Sequence, residues 1–123
     1  MSADPLPRNF LRPCVLLLLR EHPSYGYDLL ERLPALGFER GDPGRLYRTL
    51  RGLEADGLVV SAWAASPEGP DRRVYRLTRS GMEELHRVST RLVQTKETVD
   101  VFLSRYEEFV ALDSAGARVS SRL

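Results

Sequence analysis

In this 123-residue chain, the side chains best suited to chemistry are two sets of arginines, Arg45, Arg48 and Arg51, then Arg72 and Arg73. A guanidinium is planar and permanently charged, and it donates parallel N–H bonds that match phosphate oxygens and the O6/N7 edge of guanine. The first set is spaced by threes, so at about 100° per residue its members share one face of a helix. Leu46, Leu50 and Leu53 fall on nearly the opposite face. Such a helix buries its leucines in a small core and still points three guanidinium groups outward. Tyr47 lies between the two faces, at an angle that suits either an outward contact or the edge of the core.

The flanking residues predict the elements that hold these groups. Asp42 is a good N-cap and Pro43 a good first helical residue, and Gly57 offers a left-handed stop, so a helix is predicted over 42–57. Leu58 to Trp63 is short and rich in β-branched and aromatic residues. The stretch from Ser66 to Asp71 then breaks the chain, and Arg72 to Leu77 alternates. Val74 shares one side with Arg72 and Arg76, whereas Arg73, Tyr75 and Leu77 lie on the other. The result is a hairpin with Arg72 and Arg73 near its tip. Arg76, further from the tip, is expected to form a surface ion pair, and Trp63 to pack within the hairpin. Upstream, a helix with Pro13 in its first turn runs to about Glu21, is apolar nearly all round at Val15–Leu19, and ends at His22-Pro23. A second helix is expected from a Ser24 cap, with Tyr25, Leu29 and Leu33 on one stripe, stopping before Pro34; residues 37–41 form a connecting loop.

A fourth helix is predicted from a Thr78 cap to about Val110. Leu85, Val88, Leu92, Thr95, Val99, Phe102, Tyr106 and Phe109 repeat by alternate threes and fours. This is a heptad seam, suited to packing against a second copy of the chain, with Thr95 its weak point. The fold class is therefore mainly α with a small β-hairpin: a winged helix-turn-helix followed by a long C-terminal dimerisation helix. The expected organisation is a flexible arm (1–8), a winged helix-turn-helix domain (9–77), a dimerisation helix (78–112) and a disordered tail (113–123).

Composition narrows the function classes. Formal net charge is only +1, so basic groups must be arranged locally to hold a polyanion. The single cysteine, Cys14, excludes an intrachain disulfide and reads as a small buried hydrophobe. No apolar run reaches membrane length and the N-terminus lacks a signal-peptide core, so a bacterial cytoplasmic protein, on the nucleoid when bound, is expected. The parts of an enzyme are missing. His22 and His86 sit in different elements without metal-ligand or triad spacing, Gly41-Asp42-Pro43-Gly44 is a helix start rather than a phosphate loop, and Glu83-Glu84 and Glu107-Glu108 are solvated helix charges. No cofactor, metal or membrane partner is expected.

The ordered set Leu16–Leu19, Pro23-Ser24-Tyr25-Gly26-Tyr27-Asp28-Leu29, Leu46-Tyr47-Arg48-Thr49-Leu50, Leu53-Glu54-Ala55-Asp56-Gly57-Leu58, Gly69-Pro70, Arg73–Thr78 and Gly81 resembles the PadR family of bacterial transcriptional regulators, over roughly residues 10 to 90. The opening Pro7–Cys14 is similar to a subgroup of polyhydroxybutyrate-responsive repressors. The resemblance implies a dimeric, ligand-responsive repressor, with double-stranded DNA and a small-molecule effector bound near the dimer interface as partners. It also implies that Tyr47 lies near DNA. Together the residues predict a near-palindromic operator, helix 42–57 in the major groove and the wing on the backbone. Expected DNA contacts are Arg45, Tyr47, Arg48, Arg51, Arg72 and Arg73; the expected dimer interface is Leu85, Val88, Leu92, Val99, Phe102, Tyr106 and Phe109. The chain departs from relatives that sandwich flat drugs with a tryptophan on the last helix: its only tryptophan, Trp63, is on the wing. The alternative is a winged-helix adaptor that binds protein instead of DNA.

Overall fold

The computed structural model describes residues 9–38 and 42–120, the last five by their backbone alone. The arm predicted for residues 1–8 therefore lies outside the described residues. In chain order the elements are α1 (Leu11–Glu21), β1 (Ser24–Tyr25), α2 (Gly26–Arg32), a 3₁₀ turn (Leu33–Leu36), α3 (Pro43–Ala55), β2 (Val59–Ala64), β3 (Arg72–Leu77) and α4 (Arg79–Ser120). The strands form one antiparallel sheet in the order β1-β3-β2.

One apolar cluster holds the first four helical elements and the sheet together. α1 buries Leu11, Cys14, Val15, Leu16, Leu18 and Leu19, more than one side of the helix, as its nearly continuous apolar run requires. From α3 come Leu46, Leu50 and Leu53, which are 1%, 0% and 0% exposed. Leu29 of α2, Val59 of β2 and Tyr75 of β3 complete the cluster with Leu33 and Leu58.

α3 is punctuated as its sequence predicts. The Asp42 carboxylate accepts the Arg45 N–H at 3.2 Å, and Pro43 follows in the first turn, where its missing donor costs nothing. At the other end Gly57 adopts φ 75°, which a side chain would disfavour. That reversal lets the Gly57 N–H bond the Glu54 carbonyl at 3.0 Å and the Leu58 N–H bond the Leu53 carbonyl at 2.9 Å. This is a Schellman stop, with buried Leu58 in the same cluster as Leu53.

Three elements differ from the sequence reading. Ser24 does not cap α2 but lies in β1, opposite Tyr75. Its hydroxyl is taken by Arg32, whose Nη1 donates to it at 2.7 Å while Nη2 donates to the Leu18 carbonyl (2.9 Å) and the Glu21 carboxylate (2.6 Å). Tyr25 becomes the N-cap, its N–H donating to Asp28 at 3.4 Å. α2 ends at Arg32, before Pro34 as expected, but Leu33, placed on its stripe, instead opens a 3₁₀ turn, in whose first turn the missing N–H of Pro34 is harmless. The third difference is at the C-terminus. α4 continues to Ser120, so residues 113–120 are helical rather than a tail, and 121–123 lie outside the described residues.

The chain divides into two compact units, 1–88 and 89–123, so the first turns of α4 belong with the winged domain. The Thr78 hydroxyl accepts the Gly81 N–H at 3.0 Å, the predicted cap, and Leu85 packs on the apolar cluster. In the second unit, taken by itself, Leu92 is half-buried, while Val99, Phe102, Tyr106 and Phe109 are exposed.

Two outcomes follow from this core. Leu50→Ala removes a fully enclosed side chain and is expected to lower unfolding free energy by about 2–5 kcal/mol in urea titrations at fixed protein concentration; a loss under about 1 kcal/mol would contradict the packing. Burial pushes the Cys14 thiol up to about 11. Below the thiol's unfolded pKa, about 8.5, the resulting stabilisation is complete; it is lost as pH rises through the folded value, because the unfolded chain releases this proton first. At pH 8 a thiol-specific disulfide reagent should therefore label the native protein only as fast as the chain opens. Immediate labelling would show that Cys14 is not enclosed.

Candidate nucleic-acid interface

Enclosure of the α3 leucines fixes the helix about its own axis and turns Arg45, Arg48 and Arg51 to solvent. None of the three makes an ion pair among the described residues, and all three are exposed. Arg48 folds back along the helix, its Nη1 lying where a side chain on Gly44 would come within 3.3 Å. Tyr47 is 38% exposed and occupies the edge position its helical angle allows. Its ring lies across Gly26: a methyl there would fall 2.6 Å from the phenol oxygen, so the absent side chain is what lets α2 and α3 approach.

On the wing, register decides what each arginine meets. Ala64 pairs with Arg72, Trp63 with Arg73 and Ser61 with Tyr75. Neighbouring residues on a strand point to opposite faces, so Arg72 and Arg73 part company. Arg72 lies over the Tyr25 ring, 5.5 Å from its centroid. Arg73 turns to the face that carries Tyr75, lies 5.7 Å from the Trp63 centroid, and donates from Nε to the Ser61 hydroxyl at 2.7 Å. That hydroxyl in turn donates to the Glu54 carboxylate of α3 at 2.8 Å, and Arg73 Nη2 stands 3.8 Å from the same carboxylate. Between α2, α3 and the wing runs an aromatic cleft of about 340 Å³, lined by Tyr25, Tyr27, Tyr47, Trp63, Tyr75 and both wing arginines, among others.

Burial foremost raises the pKa of Tyr75. Arg73 opposes the shift, Tyr47 and Glu54 add to it, and Arg51 opposes it, which places all four around this one phenol. Tyr27 is also raised, by its hydrogen bond to Glu31 above all.

The structure thus gathers five predicted residues, Arg45, Tyr47, Arg48, Arg51 and Arg72, as exposed groups on α3 and the wing. Arg73 is exposed as well, but its Nε is already hydrogen-bonded to Ser61 and its Nη2 lies beside Glu54. Arg76 is exposed opposite Val60 but forms no ion pair among the described residues, contrary to expectation. Trp63 is 67% exposed, a platform for Arg73 rather than hairpin packing. Sequence reasoning missed Glu54, Ser61, Tyr25 and Tyr75 as companions of the arginines. Glu54 follows Arg51 by one helical turn, but only the strand register brings Ser61 and Arg73 to it.

A recognition-type helix set against a short antiparallel wing defines a winged helix-turn-helix protein. The sequence model described as the transcriptional regulator PadR-like family matches residues 15–87, and the chain belongs to that family. It is 42% identical over 82 residues to the transcriptional regulator Rv3488 of Mycobacterium tuberculosis, covering 63% of this chain and 75% of that protein. Among solved structures it is similar to a PadR family regulator from Eggerthella lenta (33% identity, TM-score 0.68, covering 78% of this chain and 83% of that one). It is also similar to Bacillus subtilis PadR in complex with operator DNA (27% identity, TM-score 0.58), where the match covers 65% of this chain and 46% of that one. Among the described residues no helix is long and apolar enough to cross a membrane.

The environment of Tyr75 is open to test. Subtracting the alkaline absorbance titration of Tyr75→Phe from that of the wild type should leave one phenol ionising later than an ordinary tyrosine, above about pH 10. A difference curve at or below that value would place Tyr75 in solvent.

Proposed function

We propose that this chain is a dimeric transcriptional repressor that reads a near-palindromic operator with α3 in the major groove and holds the DNA backbone with the wing. The observation that carries this reading is the division of α3: Leu46, Leu50 and Leu53 are enclosed, and Arg45, Arg48 and Arg51 stand exposed on the opposite side with no ion pair among the described residues. The major groove admits a helix, and an arginine there donates two bonds to one guanine, which supplies sequence preference; Arg72 on a phosphate supplies affinity and register. Tyr47, at the edge of α3, is close enough to that surface to join the contact. The operator complex of Bacillus subtilis PadR supports the DNA-facing role by likeness of fold.

Dimerisation rests on α4. Leu85, Val88 and Leu92 are half-buried, while Val99, Phe102, Tyr106 and Phe109 keep one side of the helix apolar and in water. A second copy would cover that seam, and a two-fold pair would set two α3 helices on half-sites about 34 Å, or a multiple, apart. Release by a small-molecule effector is part of the same reading, through the family resemblance. A tryptophan sandwich on the last helix is not, because that helix has no tryptophan. The narrower polyhydroxybutyrate-responsive assignment rests on Pro7–Cys14 alone, and nothing in this reading depends on it.

Operator fragments selected from genomic DNA by the purified protein provide the test. Arg48→Ala is expected to weaken operator binding by about 1–3 kcal/mol, and Arg72→Ala to reduce the slope of log affinity against log salt by about 0.9, one phosphate contact. Isotherms for both variants that overlay the wild type across the salt series would refute the placement. Absence of any salt-dependent DNA binding by the wild type would favour the protein-binding adaptor.

A further inference from the structure

We propose that Glu54 is a positioning residue that withholds Arg73 from DNA, so that of the two arginines near the wing tip only Arg72 is offered to the phosphate backbone and sequence-independent affinity is kept low. The inference rests on the DNA-reading function proposed above, and it concerns a carboxylate that the reading does not otherwise use.

Three contacts bear on one guanidinium, and a fourth links two of its partners. Arg73 Nε donates to the Ser61 hydroxyl at 2.7 Å, and that hydroxyl donates onward to Glu54 Oε2 at 2.8 Å. Arg73 Nη2 lies 3.8 Å from Glu54 Oε1, and the guanidinium plane covers the Trp63 ring at 5.7 Å. Any one of these is weak at a surface, the ion pair especially, since its partners are 48% and 34% exposed. Together they engage one donor by a hydrogen bond, set a carboxylate beside another and place a ring under the same planar group, and a network of this kind holds better than its separate pairs. Arg72, one residue earlier, has a different fate. It makes no ion pair among the described residues, and its stacking on Tyr25 leaves the charge uncompensated.

The chemistry of such an arrangement is specificity. A free guanidinium on the wing binds any duplex, because every duplex presents phosphates, and each neutralised phosphate adds a fixed increment to the salt slope. Pairing Arg73 with a carboxylate from the reading helix removes that increment and also ties the wing to α3. The bridging hydroxyl is essential to the geometry: Ser61 is half-buried, and it is the atom through which β2 connects the carboxylate of α3 to the guanidinium of β3. A small net charge on the whole chain fits the same purpose, since affinity for random DNA then depends on few exposed cations.

The experiment measures binding of the full-length protein to a random-sequence duplex by fluorescence anisotropy across a salt series, for the wild type, Glu54→Gln, Arg73→Ala and the double variant. The latch predicts that Glu54→Gln binds random DNA more tightly and steepens the slope by about 0.9, one added phosphate contact. Arg73→Ala should keep the wild-type slope, and Glu54→Gln should have no further effect in the Arg73→Ala background. Equal gains in both backgrounds would mean that Glu54 merely repels DNA, which overturns the proposal. A slope that drops by about 0.9 in Arg73→Ala alone would overturn it too, because Arg73 would already be on a phosphate. Ser61→Ala, which removes the bridge and leaves both charges, is a second route: it should steepen the slope in the same direction, and an unchanged slope would count against the latch even if Glu54→Gln failed to fold. Wild-type protein that shows no salt-dependent binding would instead sink the DNA-reading function itself, a result distinct from every variant outcome.

Discussion

The rotation of α3 about its axis is the constraint on which the remaining features depend. Leu46, Leu50 and Leu53 are enclosed almost completely, and turning the helix by even one residue's angle, about 100°, would bring leucine into water and arginine into the core. Neither is tolerable, because an unpaired guanidinium has no partner among the leucines and Val15 that α1 buries. Hydrophobic burial thus sets the direction of the charged face without any contact to the arginines themselves. The caps fix the length of the helix, through the Asp42 carboxylate at one end and the left-handed Gly57 at the other.

Strand register plays the corresponding part on the wing. Arg72 and Arg73 are adjacent in sequence and chemically identical, yet alternation along β3 sends them to different partners, one to Tyr25 and one to Ser61, Glu54 and Trp63. Charge near a binding surface is therefore a poor guide to charge available for binding. With a net charge of +1, the distribution of a few unpaired cations matters more than their number.

α4 serves two units by changing what its apolar side faces. Near its start the helix is anchored to the winged domain, by the Thr78 cap and by Leu85 on the apolar cluster. Beyond Val88 the same spacing continues through Val99, Phe102, Tyr106 and Phe109, now in water. A regular stripe of large apolar groups left exposed is the pattern of a surface made for another helix, which is why dimerisation belongs to the proposed function.

Local signals in the chain were enough for much of this. The arginine–leucine division, the Asp42-Pro43 start, the Gly57 stop, the Pro/Gly-rich hairpin loop and the Thr78 cap each act within about a helical turn or a strand pair, so residue type and spacing determine them. The residues from Leu46 to Thr78 were legible as a helix and a hairpin for that reason. What tertiary structure decided was everything that joins distant segments. β1 exists because Ser24 and Tyr25 pair with β3, fifty residues away, and the Ser24 hydroxyl that looked like a cap is claimed by Arg32. Likewise the meeting of Glu54, Ser61 and Arg73 needs both the strand register and the seating of the sheet on α3. Sequence spacing encodes neither, because a side chain's partners across a fold are chosen by which backbone surfaces pack together, a property of the whole core.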